Sequence, residues 1–515
     1  MISFSLISSL ALSACGRPPG AGESTLQSDV MPDAALADGE RYDGKEVSPI
    51  HRVAAEPVST FAVDVDTGAY ANVRRMLRGG QSVPAAAVRT EEMINYFRYD
   101  YPLPTNREAP FSVTTDVSTT PWNPDTRLMR IGLRGYDVAS SQRPPANLVF
   151  MVDVSGSMQD PDKLPLVKQA LSILADSVRP QDSISIITYA GWVDTLVEGS
   201  HDPAEIKAAL RGLDAEGSTA GGPALSLAYD LARANRIPGG INRIVMATDG
   251  DFNVGVSDQA ELENMVRQNL EDGIALTTLG FGQGNTNDAM MEAVADLGNG
   301  NYAYIDSVME ARKVLDEELS STLFTIAKDV KVQVEFNPAE IDQYRLIGYE
   351  NRALREEDFA DDHVDAGEIG AGQQVTAIYE VVPAGHSGWI SPRKYAGASD
   401  AVPSVAGELA TVRLRYKLPD GGSSRLIETP ISARALDQQR APQGDMAFAV
   451  AVAAFGQKLR GDTRLGGYGY ADIARLAGPQ VNYWRQEFVE LTSLAGRSDV
   501  SARLMDEPAW SGSAK

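Results

Sequence analysis

The sequence predicts an α/β protein in which a doubly wound, mainly parallel sheet is inserted between β-rich flanks that form one β-sandwich, with helical pieces toward both ends. Three observations carry this expectation. Between residues 147 and 325, short apolar runs alternate with amphipathic stretches, the pattern of a parallel sheet covered by helices on both faces. On either side the period changes to strict alternation, as in Val330-Lys331-Val332-Gln333-Val334-Glu335-Phe336, which marks half-buried antiparallel strands. Finally, 515 residues at 43% hydrophobic and 23% charged describe a folded chain of about three domains. Two separate small sheets in the flanks would give the same alternation.

The elements follow in chain order. Ile2 to Leu12 is apolar but too short for a bilayer core, which needs roughly 20 residues, and has the length of a signal-peptide apolar region. It leads into Leu12-Ser13-Ala14-Cys15, which resembles the lipobox of bacterial lipoproteins, although no Lys or Arg precedes it. That resemblance makes residues 1–15 a signal peptide and Cys15, the single cysteine, the lipidated first residue of the mature chain. A buried structural thiol is the alternative. Residues 16–59 are rich in Gly, Pro, Ala, Asp and Glu without sustained periodicity, as in a disordered tether.

Residues 60–146 open with a short strand ending in Asp64-Val65-Asp66-Thr67-Gly68, followed by helical pieces at 69–77 and 88–97 and strands at 111–117 and 127–133. In the central region, strands are expected at 148–152, 183–189, 195–197, 243–247, 274–279 and 302–305. Its first helix is plain, with Leu164, Val167, Leu171, Leu174 and Val178 on one face. Residues 326–515 begin with strands at 330–336, 375–382 and 410–416 and close with helices at 447–459, 470–476 and 481–494. The longest uncharged apolar window, Met446 to Phe455, reads as a buried helix.

Composition excludes several functions. With 46 Lys+Arg against 70 Asp+Glu, the net charge of −24 opposes nucleic acid and bare anionic membrane as partners. A single Cys rules out internal disulfides and Cys-cluster metal sites. The four His are scattered without an H-E-x-x-H, and no Ser lies in a G-x-S-x-G context. Gly280-Phe281-Gly282-Gln283-Gly284 lacks the third glycine of a dinucleotide loop. Asp64-Val65-Asp66-Thr67 is similar to an aspartyl-nucleophile loop but runs directly into Gly68 and a helix. The acidic run Asp358, Asp361, Asp362, Asp365 has no calcium-loop spacing and reads as a solvated loop. No enzyme is indicated.

The chemistry gathers at the ends of the central strands. The first runs into Asp153-Val154-Ser155-Gly156-Ser157-Met158, the fourth into Thr248-Asp249-Gly250-Asp251, and Gly217-Ser218-Thr219-Ala220-Gly221-Gly222 lies between them. Groups at the carboxyl ends of strands around the switch in strand order face one crevice. Two carboxylates and three hydroxyls then converge, an all-oxygen set suited to a hard cation such as Mg²⁺ or Mn²⁺. Asp251 reads as a turn residue, and Phe252 and Trp192 are candidates for an apolar rim.

D-x-S-x-S, a Thr in a Gly-rich turn and T-D-G together resemble the metal-ion-dependent adhesion site (MIDAS) of von Willebrand factor type A (VWA) domains. Asp64 to Tyr70, Arg89 to Phe97 and Asp365 to Gly372 look like the segments that bracket this domain in a family of bacterial lipoproteins, with an N-terminal VWA-associated segment and a C-terminal domain of unknown function. The resemblance makes residues 147–325 a VWA (Rossmann-like) domain. It implies direct metal ligation by Ser155 and Ser157, by Thr219 in the ligand-competent state, and mostly water-mediated contact from Asp153 and Asp249. The ion would be Mg²⁺, with Mn²⁺ or Ca²⁺ as alternatives, and its open position would take an Asp or Glu of a partner protein. The expectation is a non-enzymatic, metal-dependent adhesion or scaffold module. It is expected in the bacterial cell envelope, lipid-anchored at the outer membrane and facing the periplasm. A metal-dependent hydrolase and a purely structural envelope protein are the alternatives.

Overall fold

The computed structural model describes residues 39–105, 109–218, 221–250, 259–318, 321, 323–391 and 405–506. Cys15 and residues 16–38 of the expected tether lie outside the described residues, as do Thr219, Asp251 and Phe252.

The central region forms a six-stranded sheet in the order Tyr302–Ile305, Ala275–Phe281, Ile241–Thr248, Ala146–Asp153, Ser183–Tyr189, Val193–Ser200. Alternate residues of Ala146–Asp153 serve two cores. Leu148, Phe150 and Val152 pack under the helix Leu164–Asp176, whereas Val149 and Met151 pack under Gly221–Ala234 and Asp288–Leu297. A strand buried on both faces is continuously apolar, which is why it reads as an unbroken run. Five strands are parallel, and the edge strand Val193–Ser200 is antiparallel to Ser183–Tyr189. The three residues between that pair allow a hairpin but no crossover helix.

The flanks build one sandwich. A five-stranded antiparallel sheet contains His51–Arg52, Ile341–Ile347, Gln374–Pro383, Asn123–Gly135 and Phe111–Thr120. The second sheet contains Ala353–Leu354, Val58–Ala62, Thr325–Phe336, Glu408–Lys417 and Arg425–Ser432, with Ile369–Gly370 also paired to Thr325–Phe336. Each sheet therefore mixes strands from before and after the central region. Phe61, Met129, Ile131, Val332, Val334, Tyr379 and Val412 share the core between the two sheets.

Three expectations need correction. First, Gln374–Pro383 is buried along nearly its whole length, not half-buried. The outer face of its sheet, with Leu128, Ile347 and Ile378, is covered by helices Gly68–Arg78, Thr90–Asn95 and Gly444–Leu459. Second, Lys331 and Gln333 are 1% and 6% exposed. Lys331 Nζ donates to the carbonyls of Asp358 (3.0 Å) and Asp361 (2.5 Å), so the acidic run is a cap over this sheet. Third, residues 39–59 are seated on the body, with Val53 1% exposed and the backbone of Arg41 bridged to Asn287. Short apolar anchors such as Val53 suffice for this and leave no periodic signature.

Buried ion networks join the layers. Arg352 Nε meets Asp64 at 3.1 Å and Nη2 meets Asp66 at 3.3 Å and Glu292 at 3.5 Å, while Nη1 meets Asp296. Arg89 pairs with Glu92, Asp288 and Glu292. Arg74, fully buried, bonds Asp306 through Nε at 2.7 Å, Glu310 at 2.8 Å and Glu487 at 3.0 Å. These arginines tie the first helices to the last helices of the central region and to the C-terminal helix Tyr483–Asp506.

Candidate metal-binding site at the strand crossover

Strand order reverses between Ala146–Asp153 and Ile241–Thr248, and their carboxyl ends carry Asp153 and Asp249 side by side. Both aspartates are fully buried. The backbone N–H of Ser155 donates to Asp153 Oδ1 at 2.9 Å, and Thr248 Oγ1 donates to Asp153 Oδ2 at 3.2 Å. Burial pushes the Asp153 carboxyl up to about 6, against the lowering effect of its hydrogen bonds to Ser155. Ser155 Oγ and Ser157 Oγ lie 3.0 Å apart on the turn that follows, Ser155 buried and Ser157 half-buried. The structure thus brings together Asp153, Ser155, Ser157 and Asp249.

Thr219 is not among the described residues, but the turn leading to it is docked on this site. Gly156 N donates to the Gly217 carbonyl at 3.0 Å, and Glu216 N donates to the Val154 carbonyl at 2.8 Å. Gly250, after Asp249, has φ +90, and a Cβ there would lie 2.4 Å from Asn287 N, so only glycine lets the two loops meet. Trp192, 66% exposed, sits in the hairpin beside Gly217.

Two residues complete the site that sequence reasoning did not single out. Lys163 Nζ donates to Asp249 Oδ2 at 3.1 Å and to Asn285 Oδ1 at 2.9 Å. Asn285 Nδ2 donates to the same Asp249 oxygen at 3.0 Å. Asn285 follows the glycine-rich loop at 280–284, so that loop serves the site from the neighbouring strand.

Among the described residues, the predicted ligands Asp153, Ser155, Ser157 and Asp249 offer hydroxyl and carboxylate oxygens, the chemistry a hard cation takes. Elsewhere among the described residues, Asp64, Glu92 and Glu292 bring carboxylate oxygens within 4.8 Å of one another. Arg89 and Arg352 already reach into that group, so it reads as part of the ion network. Asp64 and Asp66 are pins, with Asp66 Oδ1 accepting from the backbone N–H of Tyr302 at 2.8 Å.

A doubly wound sheet with this cluster at its crossover defines a VWA protein, and residues 148–251 match the family described as von Willebrand factor type A domain. Residues 36–130 match the family described as von Willebrand factor, and residues 321–497 match that described as uncharacterized protein YfbK, C-terminal. YfbK of Escherichia coli K12 is 45% identical over 476 residues, covering 90% of this chain and 82% of its own. The chain belongs to the YfbK family of VWA-containing bacterial proteins. Inter-alpha-trypsin inhibitor heavy chain H4 of Bos taurus is 29% identical over 198 residues, 36% of this chain and 21% of its own. Among solved structures, the von Willebrand factor type A protein from Catenulispora acidiphila aligns at 16% identity with a TM-score of 0.40, over 74% of this chain and 88% of its own. VWA domains typically mediate protein–protein interactions and often bind a divalent metal.

Proposed function

We propose that the protein is a membrane-tethered interaction module that binds a partner's Asp or Glu through a divalent metal held by Asp153, Ser155, Ser157, Thr219 and Asp249. The observation that carries this reading is the convergence of two buried carboxylates and two adjacent hydroxyls at the crossover crevice. Mg²⁺ is the expected ion, with Mn²⁺ or Ca²⁺ as alternatives. When bound, such an ion supplies an electrophilic position that a carboxylate can fill. The chain's own residues orient the donors. Thr248 and the Ser155 N–H fix both oxygens of Asp153, and the Gly217 turn holds the third loop in place. Exposed Trp192 gives a partner an apolar foothold beside the acidic residue it presents.

Tethering is proposed through lipid on Cys15, in the bacterial cell envelope at the outer membrane and facing the periplasm. Among the described residues no helix is long and apolar enough to cross a membrane. Among the described residues of the site, the metal-binding carboxylates are the only carboxylates in contact with the cluster, and the interaction reading is preferred to hydrolysis.

In-cell crosslinking followed by mass spectrometry tests the reading, comparing wild type, wild type with EDTA, and Asp153→Ala. Partners should be lost in the last two arms. Recovery of the same partners in all three would sink it.

A further inference from the structure

Lys163 carries a consequence for the site that the ligand set alone does not contain. It directly precedes the helix Leu164–Asp176 and is 4% exposed. A buried ammonium must be compensated, and here the compensation is specific. Its Nζ bonds Asp249 Oδ2 at 3.1 Å and Asn285 Oδ1 at 2.9 Å, and Asn285 returns a hydrogen bond to that same oxygen at 3.0 Å. The three side chains form a closed ring, so one oxygen of Asp249 accepts two hydrogen bonds and is turned toward a fixed positive charge.

The passage for the lysine stem is built in. Gly282 has φ +73, and a Cβ there would lie 2.2 Å from Lys163 Cγ and 2.5 Å from its Cε. Any other residue at 282 would be strained and would also push the ammonium out of the ring. The glycine-rich loop and Asn285 just beyond it thus supply the channel for the lysine and the amide that locks it.

We propose that Lys163 is a built-in counter-cation that sets the metal affinity of this site by holding Asp249 back from the ion. The inference rests on the metal reading above. Among the described residues, Asp153 and Asp249 contribute two negative charges and Lys163 returns one, so these three groups offer a hard cation one net negative charge instead of two. Affinity of oxygen sites for such ions follows the count of uncompensated carboxylates. The ion then keeps more of its own charge for the partner's carboxylate, and the site fills only at higher free metal.

The test is calorimetric titration of the full chain with Mg²⁺ and with Mn²⁺, for wild type, Lys163→Met and Lys163→Gln. The Gln variant retains a donor for Asp249 in case the Met variant does not fold. Both should bind about tenfold or more tightly than wild type. They should also melt at lower temperature before metal is added and gain more from its addition. Binding seen only in the variants would support the proposal most strongly. Equal or weaker binding in the variants, with wild type binding normally, overturns the proposal and leaves the metal reading standing. Absence of binding in every chain removes the metal reading and this inference with it.

Discussion

Glu368 shows how one side chain sets a pH response. Its Oε1 is buried with no hydrogen-bond partner among the described residues, and burial, followed by the charges of Asp365 and Asp329, pushes its carboxyl up to about 8. An acid whose folded pKa is raised favours the fold when protonated. The stabilisation is complete below the ordinary glutamate range and is lost as pH climbs through about 8. We expect the melting temperature to fall between about pH 5 and pH 9, and Glu368→Gln to flatten that slope. Thermal scans across buffers check it, and an unchanged slope in the variant would refute the assignment. Trp192 offers a second check at this scale: Trp192→Ala should weaken partner capture about tenfold without moving metal affinity. Of the site, Asp153, Ser155, Ser157 and Asp249 were legible because they follow apolar strands in short, fixed spacings. Lys163 and Asn285 were not, because their meaning arises only where a helix start and a distant loop are brought to the same aspartate.

At the scale of elements, the arginine networks fasten the central sheet to its flanks. Arg352 is the sharpest case, since its guanidinium answers Asp64, Asp66, Glu292 and Asp296 together. Replacing it strands several buried carboxylates, so Arg352→Ala should destabilise by about 3–5 kcal/mol, measurable by urea unfolding. An effect under about 1 kcal/mol would show that these contacts behave as surface pairs. The strands and helices themselves were largely readable from period, and the central strands agree with their expected positions to within a few residues. The misread cases share one cause. Gln374–Pro383 and Thr325–Phe336 were expected to be half-buried, and the segments that cover them lie outside their own sheets: the helices Gly68–Arg78, Thr90–Asn95 and Gly444–Leu459 for the first and the turn at 356–361 for the second. A strand's own alternation says nothing about what another segment lays over it. The antiparallel edge strand, by contrast, follows from the short loop before it.

For the molecule as a whole, the interleaving of both flanks in one sandwich means that no contiguous piece of the flanks carries a complete sheet. A chain ending at residue 324 keeps Val58–Ala62 and Asn123–Gly135 and lacks their neighbours Thr325–Phe336 and Gln374–Pro383. It should retain protected amides in the central sheet and lose them in Val58–Ala62, whose two partners Thr325–Phe336 and Ala353–Leu354 are both removed, while the hairpin of Phe111–Thr120 with Asn123–Gly135 stays paired. Hydrogen exchange would reveal it, and protection surviving in Val58–Ala62 would contradict the pairing described. The pairing also imposes an order in time. Ala62 pairs with Lys331, so Val58–Ala62, made early, cannot close until the central domain and the strand beyond it have been made. The inserted sheet, whose contacts are comparatively local, is free to form early, while the strands before it wait with unpaired edges. Refolding should therefore be biphasic, with a slow phase that reports docking of the two ends and a growing tendency to aggregate at high concentration. The architecture that fixes the crossover crevice between two interleaved flanks thus makes the newborn chain vulnerable for most of its synthesis.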